Sequence, residues 1–169
     1  LQDFTLLEYY CAYWNYEDNM NFTEALIKHV LADVNGGPIL KYGETEIDFG
    51  QDWERVSFRD LIFRDAGIDI NVCKDKESLV SAIKEKNIVI DADINALGRG
   101  NLIDQLYKKV SRPSIINPTF VIKHPTDLSP LARMNDDNPL IVDRFQLVVN
   151  GWEIINAYSE LVDPIDQRE

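Results

Sequence analysis

The clearest helical pattern in the chain runs from Tyr16 to Val34. Its apolar residues fall on one face at 3.6 residues per turn, and they are Phe22, Leu26, Ile27, Val30 and Val34. Residues 35–38, Asn-Gly-Gly-Pro, follow directly and predict the end of this helix, because glycine adopts the left-handed conformation that terminates helices.

Three shorter helices are predicted in the middle of the chain. Ser57 suits the N-cap of the first, which runs to about Ala66 and is followed by Gly67. The other two are predicted over residues 77–86 and 102–110. Residues 98–100, Gly-Arg-Gly, lack the flanking pattern of a phosphate-binding loop, so they are interpreted as a helix-entry turn.

Extended segments are predicted before, between and after these helices. Residues 4–13 are rich in aromatic side chains and predict a strand with two largely covered faces. One of these faces carries Phe4, Leu6, Glu8, Tyr10 and Ala12. A hairpin is predicted over residues 39–49, a short strand over 53–56 and a buried strand over 119–122.

A strong hairpin signal lies at Asn150-Gly151, between two alternating runs, and predicts a two-residue type I′ turn. Regular pairing places three pairs opposite each other: Val149 with Trp152, Val148 with Glu153, and Gln146 with Ile155. Gln146 and Glu153 then share one face as diagonal neighbours. The other face carries Trp152, Ile154, Asn156, Tyr158 and Glu160. The order of elements predicts an α+β fold with an antiparallel sheet.

Polar residues on the first and last strands predict a type of ligand. Glu8 and Glu160 are carboxylates on sheet faces, and a cationic amine would satisfy them through charge-assisted hydrogen bonds. Tyr10 and Tyr158 can pack along an aliphatic stem or offer their rings to a cation. A ligand with an ammonium group on a methylene chain fits these residues. The alternative is an amphipathic strand with a solvated face, which composition alone favours.

Composition and charge narrow the function classes. The formal net charge of −12 argues against a chain whose main role is binding phosphate backbone, so an RNA-binding surface is expected mostly outside it. Cys11 is predicted to be a buried thiol, and His29 and His124 are interpreted as structural or surface groups. No apolar run approaches the roughly 20 residues of a membrane span, and a cytoplasmic protein without a signal peptide is expected.

Several stretches resemble class II lysyl-tRNA synthetases in order and spacing. They are Asp3-Phe4-Thr5-Leu6-Leu7-Glu8-Tyr9-Tyr10, Asn117-Pro118-Thr119-Phe120-Val121, Ser129-Pro130-Leu131-Ala132-Arg133, Asp143-Arg144-Phe145, Asn150-Gly151-Trp152-Glu153-Ile154-Ile155-Asn156-Ala157-Tyr158-Ser159-Glu160-Leu161 and Asp163-Pro164-Ile165-Asp166-Gln167-Arg168-Glu169. The similarity is dense over residues 1–24 and 117–169 and looser between them.

The resemblance implies a fold and an extent. Residues 1–169 are expected to form an incomplete catalytic domain, from the second half of motif 2 to before motif 3. Its antiparallel sheet would be flanked by helices. Motif 1, the motif 3 arginine and an anticodon-binding domain are expected outside the chain. The fragment alone is therefore expected to be inactive, and the parent protein to be a cytoplasmic homodimer.

The resemblance also implies a reaction and its residues. Such enzymes activate lysine with ATP and Mg²⁺ to lysyl-adenylate and then transfer lysine to the 3′ end of tRNA(Lys). Phe4 matches the residue that stacks on adenine. The lysine pocket is matched by Glu8, Tyr10, Asn156, Tyr158 and Glu160, and the Mg²⁺ ligands by Glu153 and Gln146. In-line attack by the lysine carboxylate requires alignment and charge neutralisation, so no catalytic histidine is expected.

Two departures and one geometric conflict accompany the resemblance. Gln146 stands where a second metal-binding Glu is usual, and Trp152 stands where Arg is usual. The family pocket needs Glu153 and Asn156 on one face, whereas strict alternation separates them. A β-bulge or local twist is therefore predicted between Ile154 and Asn156.

Two other functions remain open at this stage. A synthetase paralogue that attaches lysine or a related amino acid to a protein would share the catalytic fold but lack the anticodon-binding domain. A non-catalytic interaction module would keep the fold, and Gln146 and Trp152 are the residues that favour it.

Overall fold

The computed structural model describes residues 3–168, which form helices on both sides of a small sheet. The helices are α1 (Tyr16–Asn35), α2 (Phe58–Ala66), α3 (Lys76–Glu85) and α4 (Arg99–Val110). The strands are β1 (Ile39–Tyr42), β2 (Thr45–Asp48), β3 (Glu54–Ser57), β4 (Thr119–Ile122), β5 (Arg144–Val149) and β6 (Trp152–Tyr158). Within residues 3–168, no helix combines the length and apolar character that crossing a membrane requires.

The ends of the helices follow local sequence signals. The Asn15 side chain accepts hydrogen bonds from the backbone N–H groups of Glu17 and Asp18 and begins α1. Gly36, with φ 70°, ends α1 in the left-handed conformation. Ser57 caps α2 as predicted. The predicted helices are thus confirmed, with shifts of at most a few residues at their ends.

The main sheet is mixed and has the strand order β3-β4-β5-β6. Strands β3 and β4 are parallel, whereas β4-β5 and β5-β6 are antiparallel. The predicted α+β class with an antiparallel sheet is confirmed, and β3 adds one parallel pair to that sheet. The chain passes through three helices between β3 and β4, and such a long crossover permits parallel pairing. The β1-β2 hairpin forms a separate small sheet, as its sequence predicts.

The sheet separates two apolar clusters. Val121 and Val148 point toward α2, α3 and α4, where they join the larger cluster. Phe120 and Phe145 point to the opposite side, toward α1 and the β1-β2 hairpin. Their rings meet edge to face with centroids 5.3 Å apart, and both side chains are fully buried. Strands β4 and β5 are therefore held from both faces, and they provide a rigid base for the β5-β6 turn and edge strand.

The N-terminal segment, residues 3–13, differs from its prediction. It forms no strand, and Phe4 and Tyr10 are 78% and 76% exposed. Cys11, predicted to be buried, is exposed as well. A strand needs a neighbouring backbone for its hydrogen bonds, and this segment pairs with none of the strands in residues 3–168. The main anchor is Tyr9, whose hydroxyl donates to Asn19 Oδ1 at 2.5 Å.

Candidate functional site

The β5-β6 hairpin brings most of the predicted site residues together. Its turn residues Asn150 and Gly151 have φ values of 48° and 73°, and positive φ at both positions is the mark of the predicted type I′ turn. Val149 faces Trp152 and Val148 faces Glu153, also as predicted. The hairpin therefore begins in the register that its sequence indicates.

A β-bulge then changes the register of β6. Leu147 pairs with Ile155, so Ile154 lies between two paired residues and has no partner on β5. The predicted irregularity is confirmed and lies at Ile154. As a result, Gln146 faces Asn156, and the predicted pairing of Gln146 with Ile155 is wrong.

The bulge determines which side chains share a face. Glu153, Asn156 and Tyr158 lie opposite alternate residues of β5, so they project from the same side of the sheet. Ile155 and Ala157 instead pack toward the α1 side. The prediction that Trp152, Asn156 and Tyr158 share one face is therefore wrong, because it assumed a regular strand.

A chain of hydrogen bonds links three residues on this face. The Gln146 side chain donates from Nε2 to Glu153 Oε2 at 2.7 Å. Its oxygen, Oε1, lies 3.1 Å from His124 Nε2. His124 and Gln146 are buried, whereas Glu153 is exposed. Burial lowers the pKa of His124 to about 3, and the positive charge of Arg144 acts in the same direction. The imidazole is therefore neutral at physiological pH.

His124 was not assigned to the site from the sequence. It follows Lys123, whose backbone has a φ of 56°. Such a left-handed residue breaks the alternation that extends from β4, so sequence periodicity could not place the His124 side chain. Its single sequence signal is its position at the end of a buried strand.

Arg144 forms a second connection on the same face. Its Nε donates to Asn156 Oδ1 at 2.8 Å, and one of its terminal nitrogens donates to Ser129 Oγ at 2.7 Å. Burial lowers the pKa of Arg144, while the nearby Glu153 carboxylate opposes this shift. Arg144 thus orients Asn156 and ties the Ser-Pro-Leu-Ala-Arg stretch, residues 129–133, to the sheet.

Glu160 lies just beyond β6 and is fixed by this stretch. The backbone N–H of Arg133 donates to the Ser159 carbonyl at 2.8 Å, and that of Leu161 donates to the Leu131 carbonyl at 3.1 Å. Ala132 and Glu160 form an isolated antiparallel bridge between these bonds. The backbone of Glu160 is therefore held although its side chain is exposed.

The N-terminal segment places Glu8 and Tyr10 near the end of β6. The Tyr10 hydroxyl donates to Glu8 Oε1 at 3.0 Å. This hydrogen bond and the Glu8 charge raise the pKa of Tyr10, with smaller contributions from Glu160 and Tyr158. Tyr10 thus responds to the charges of three of the other four residues that were predicted to bind lysine. The side chain of Phe4 remains largely in solvent.

Comparison with known proteins places the chain in a family. The family model described as "tRNA synthetases class II (D, K and N)" matches residues 1–169. The chain belongs to the class II tRNA synthetases. Its mixed sheet, flanked by helices, is consistent with part of the catalytic domain of that family.

Curated relatives of this synthetase domain carry one name. The chain is 41% identical over 168 residues to a lysine–tRNA ligase of Prochlorococcus marinus (strain MIT 9312), covering 99% of this chain and 32% of that protein. It is 40% identical over 170 residues to one of Pasteurella multocida (strain Pm70), covering 99% and 33%. For Aquifex aeolicus (strain VF5) the identity is 39% over 168 residues, covering 99% and 28%. The chain thus spans about a third of the length of these relatives.

The polar face offers Mg²⁺ the carboxylate of Glu153. Among residues 3–168, no cluster of three or more His, Cys, Asp or Glu side chains is arranged to hold a metal ion. However, Mg²⁺ bound to nucleotide phosphates needs only one or two protein carboxylates. Glu153 is exposed and uses Oε2 to accept from Gln146, so Oε1 can serve as that ligand. The oxygen of Gln146 is engaged by His124.

A separate cavity of about 370 Å³ contains none of the predicted site residues. Its wall includes Tyr16, Arg59, Lys123 and Asn138. The chemistry that the sequence predicts lies instead on the open face of β6. The volume of a cavity alone carries no information about the reaction, so the side-chain chemistry of the β6 face identifies the candidate site.

Proposed function

We propose that the protein carrying this chain is a lysine–tRNA ligase. It activates lysine with ATP to lysyl-adenylate and then transfers lysine to the 3′ end of tRNA(Lys). The observation that carries this proposal is that the charges of Glu8, Glu160 and Tyr158, three other residues of the predicted lysine pocket, all act to raise the pKa of Tyr10. The names of the curated relatives support the same function.

The lysine side chain is the part of the substrate that these residues suit best. Within residues 3–168, neither Glu8 nor Glu160 forms a salt bridge with a Lys, Arg or His side chain. An ammonium group supplies the positive charge that both carboxylates lack. Tyr10 and Tyr158 offer ring surface to the methylene groups, and Asn156, oriented by Arg144, lines the same wall.

The ATP side of the proposed site follows the polar face toward the hairpin turn. Glu153 would hold Mg²⁺ through its free oxygen, whereas Gln146, the other predicted ligand, directs its oxygen to His124 and its nitrogen to Glu153. Phe4 stacks on adenine in this proposal. When bound, Mg²⁺ neutralises charge on the ATP phosphates, which favours in-line attack by the lysine carboxylate on the α-phosphorus. Pyrophosphate then leaves, and the tRNA 3′ hydroxyl later displaces AMP from the lysyl carbonyl.

The remaining features of the proposal concern the intact protein. Residues 1–169 correspond to the region from the second half of motif 2 to before motif 3. The homodimer, the cytoplasmic location, and the contacts of motifs 1 and 3 and of the anticodon-binding domain belong to the same proposal. Because the chain spans about a third of its relatives, we expect no tRNA charging by these residues alone.

The deciding experiment is ATP–pyrophosphate exchange on the full-length protein. We expect exchange with lysine and none with the other standard amino acids. Charging of tRNA(Lys) would then separate a synthetase from a paralogue that lysylates a protein, since the paralogue exchanges without charging. Absence of exchange with every amino acid would contradict the proposal and favour a non-catalytic module.

A further inference from the structure

The hydrogen-bond chain under Glu153 points to a residue beyond those already assigned. Resting on the proposed function, we propose that His124 is a positioning residue for Glu153 and acts through the Gln146 side chain. His124 is buried, two residues beyond the end of β4. Its Nε2 lies 3.1 Å from Gln146 Oε1, and Gln146 in turn donates to Glu153. The Gln146 amide is therefore the hydrogen-bonded link between His124 and Glu153.

The chemistry of an amide explains why Gln146 needs this partner. A glutamine side chain ends in a donor and an acceptor of similar size, so it can turn either end toward a neighbour. Only the nitrogen attracts the Glu153 carboxylate, because an amide oxygen beside it would be repelled. A donor at the other end selects this orientation, and in this proposal His124 carries its proton on Nε2 and so supplies that donor.

The His124 ring is itself held in place by aromatic packing. Its centroid lies 5.1 Å from that of Phe58, and the Phe58 ring lies 4.6 Å from that of Tyr107. All three side chains are almost fully buried. The imidazole therefore has no space to turn away from Gln146. The hydrogen-bond chain therefore starts at a fixed side chain in the core and ends at the exposed carboxylate of Glu153.

The consequence for Glu153 is a defined orientation. Its Oε2 is held by Gln146 at 2.7 Å, so Oε1 is the oxygen that remains available to a ligand. Groups that fix the orientation of a ligand commonly change metal affinity 10- to 100-fold. In this chain, Gln146 replaces a second negative charge with such an orienting hydrogen bond.

The test uses full-length protein and calorimetric titration with ATP at a series of Mg²⁺ concentrations. Lysine is omitted, so no reaction takes place. His124→Leu removes the donor, and we expect the half-saturating Mg²⁺ concentration to rise about 10-fold. His124→Gln places an amide N–H near the position of Nε2 and largely restores the hydrogen bond. We therefore expect its half-saturating Mg²⁺ concentration to remain within about 3-fold of that of the unmodified protein. Tyr107→Phe is the matched control, because Tyr107 is buried and packs against the same Phe58 ring. It should leave the half-saturating Mg²⁺ concentration unchanged.

A double variant separates positioning from general damage. If His124 acts through Gln146, His124→Leu combined with Gln146→Leu should need no more Mg²⁺ than Gln146→Leu alone. Additive effects, or an unchanged Mg²⁺ requirement in His124→Leu, would overturn the proposal. Circular dichroism confirms that each variant is folded at the temperature of titration.

The outcome of this test is distinct from that of the proposed function. Lysine-dependent exchange in the unmodified protein, together with an unchanged His124→Leu variant, would reject only the positioning role. The expected Mg²⁺ pattern without lysine-dependent exchange would reject the lysine–tRNA ligase assignment and retain the positioning role.

Discussion

The β5-β6 hairpin and the N-terminal segment, residues 3–13, carry the two walls of one predicted lysine pocket, yet they are built differently. The hairpin side chains stand on a strand whose neighbour is buried on both faces. The segment has no strand partner in residues 3–168, and its apolar side chains face solvent. Polar groups on the hairpin are therefore positioned by this chain itself, whereas those on the segment need further contacts to become equally ordered.

Hydrogen bonding shows the same difference on a smaller scale. Gln146 connects a buried histidine to Glu153 across two strands. Tyr10 and Glu8 bond only to each other, two residues apart and in solvent. A bond of the second kind contributes little to stability, because water competes for both partners. The contrast is open to experiment at four points, given from the largest expected effect to the smallest.

Core packing gives the largest expected difference. Phe145→Ala in β5 should lower the free energy of unfolding of the 169-residue chain by about 3–5 kcal/mol, because it empties a fully buried ring site. Phe4→Ala in the segment should change it by less than about 0.5 kcal/mol. Urea denaturation followed by circular dichroism measures both. A large loss for Phe4→Ala would show that the segment is packed, and the comparison would fail.

The second comparison concerns how strongly each wall of the predicted pocket binds lysine in the full-length protein. Glu160→Gln removes a charged hydrogen-bond acceptor, and we expect the KM for lysine in pyrophosphate exchange to rise about 10- to 150-fold. Glu44→Gln, in the exposed β1-β2 turn, serves as the control. Glu8→Gln applies the same measurement to the N-terminal segment. A rise in the KM for lysine equal to that of Glu160→Gln would mean that the rest of the protein orders the segment against β6. An unchanged KM would exclude Glu8 from the pocket.

The burial of His124 predicts a pH dependence of stability in the acidic range. With the pKa of His124 lowered to about 3, the unfolded chain binds a proton below pH 6.5 that the folded chain does not. Stability therefore falls as pH decreases from about 6.5 toward 3, and is unaffected by this group above that range. Between pH 7 and 5 the expected loss is about 2 kcal/mol in urea denaturation.

Two variants assign this slope to its source. His124→Leu should flatten the pH dependence between pH 7 and 5. His29→Gln, at an exposed position on α1, should leave it unchanged. An unchanged slope in His124→Leu would show that other groups cause it.

The turn residues provide the smallest effect. Asn150→Ala should cost about 1 kcal/mol, because alanine lacks the tolerance of asparagine for a φ of 48°. Tyr13, at the end of the segment, also has a positive φ, of 67°, and is fully exposed. Tyr13→Gly should change the free energy of unfolding by less than about 0.5 kcal/mol, since little structure depends on that turn. A loss above 1 kcal/mol at Tyr13 would contradict the weak attachment of the segment.

The parts of the structure that local sequence predicted are those set by local chemistry. The end of α1 at Gly36, the cap at Ser57 and the turn at Asn150 each depend on a few neighbouring residues. The bulge at Ile154 was predicted because the family pocket and strict alternation could not both hold. The helix end, the cap and the turn follow from backbone preferences, whereas the bulge followed from the family resemblance.

The parts that escaped prediction depend on residues distant in sequence. Pairing between β3 and β4 joins Glu54 with Thr119, across three helices. The position of His124 depends on the turn at Lys123 and on Phe58, which belongs to another element. The exposure of residues 3–13 depends on the absence of a partner strand among residues 3–168, which aromatic content cannot reveal. The roles of individual site residues remain predictions until the variants above are measured.

The bulge at Ile154 also constrains how this strand can change during evolution. Deleting the Ile154 codon would leave Glu153, Asn156 and Tyr158 on one face of a regular strand, because Ile154 is the residue without a partner on β5. Deleting a paired residue such as Ala157 would instead turn Tyr158 to the opposite face. Viable lineages should therefore tolerate loss of Ile154, whereas single-codon deletions among the paired residues that follow it in β6 should be absent.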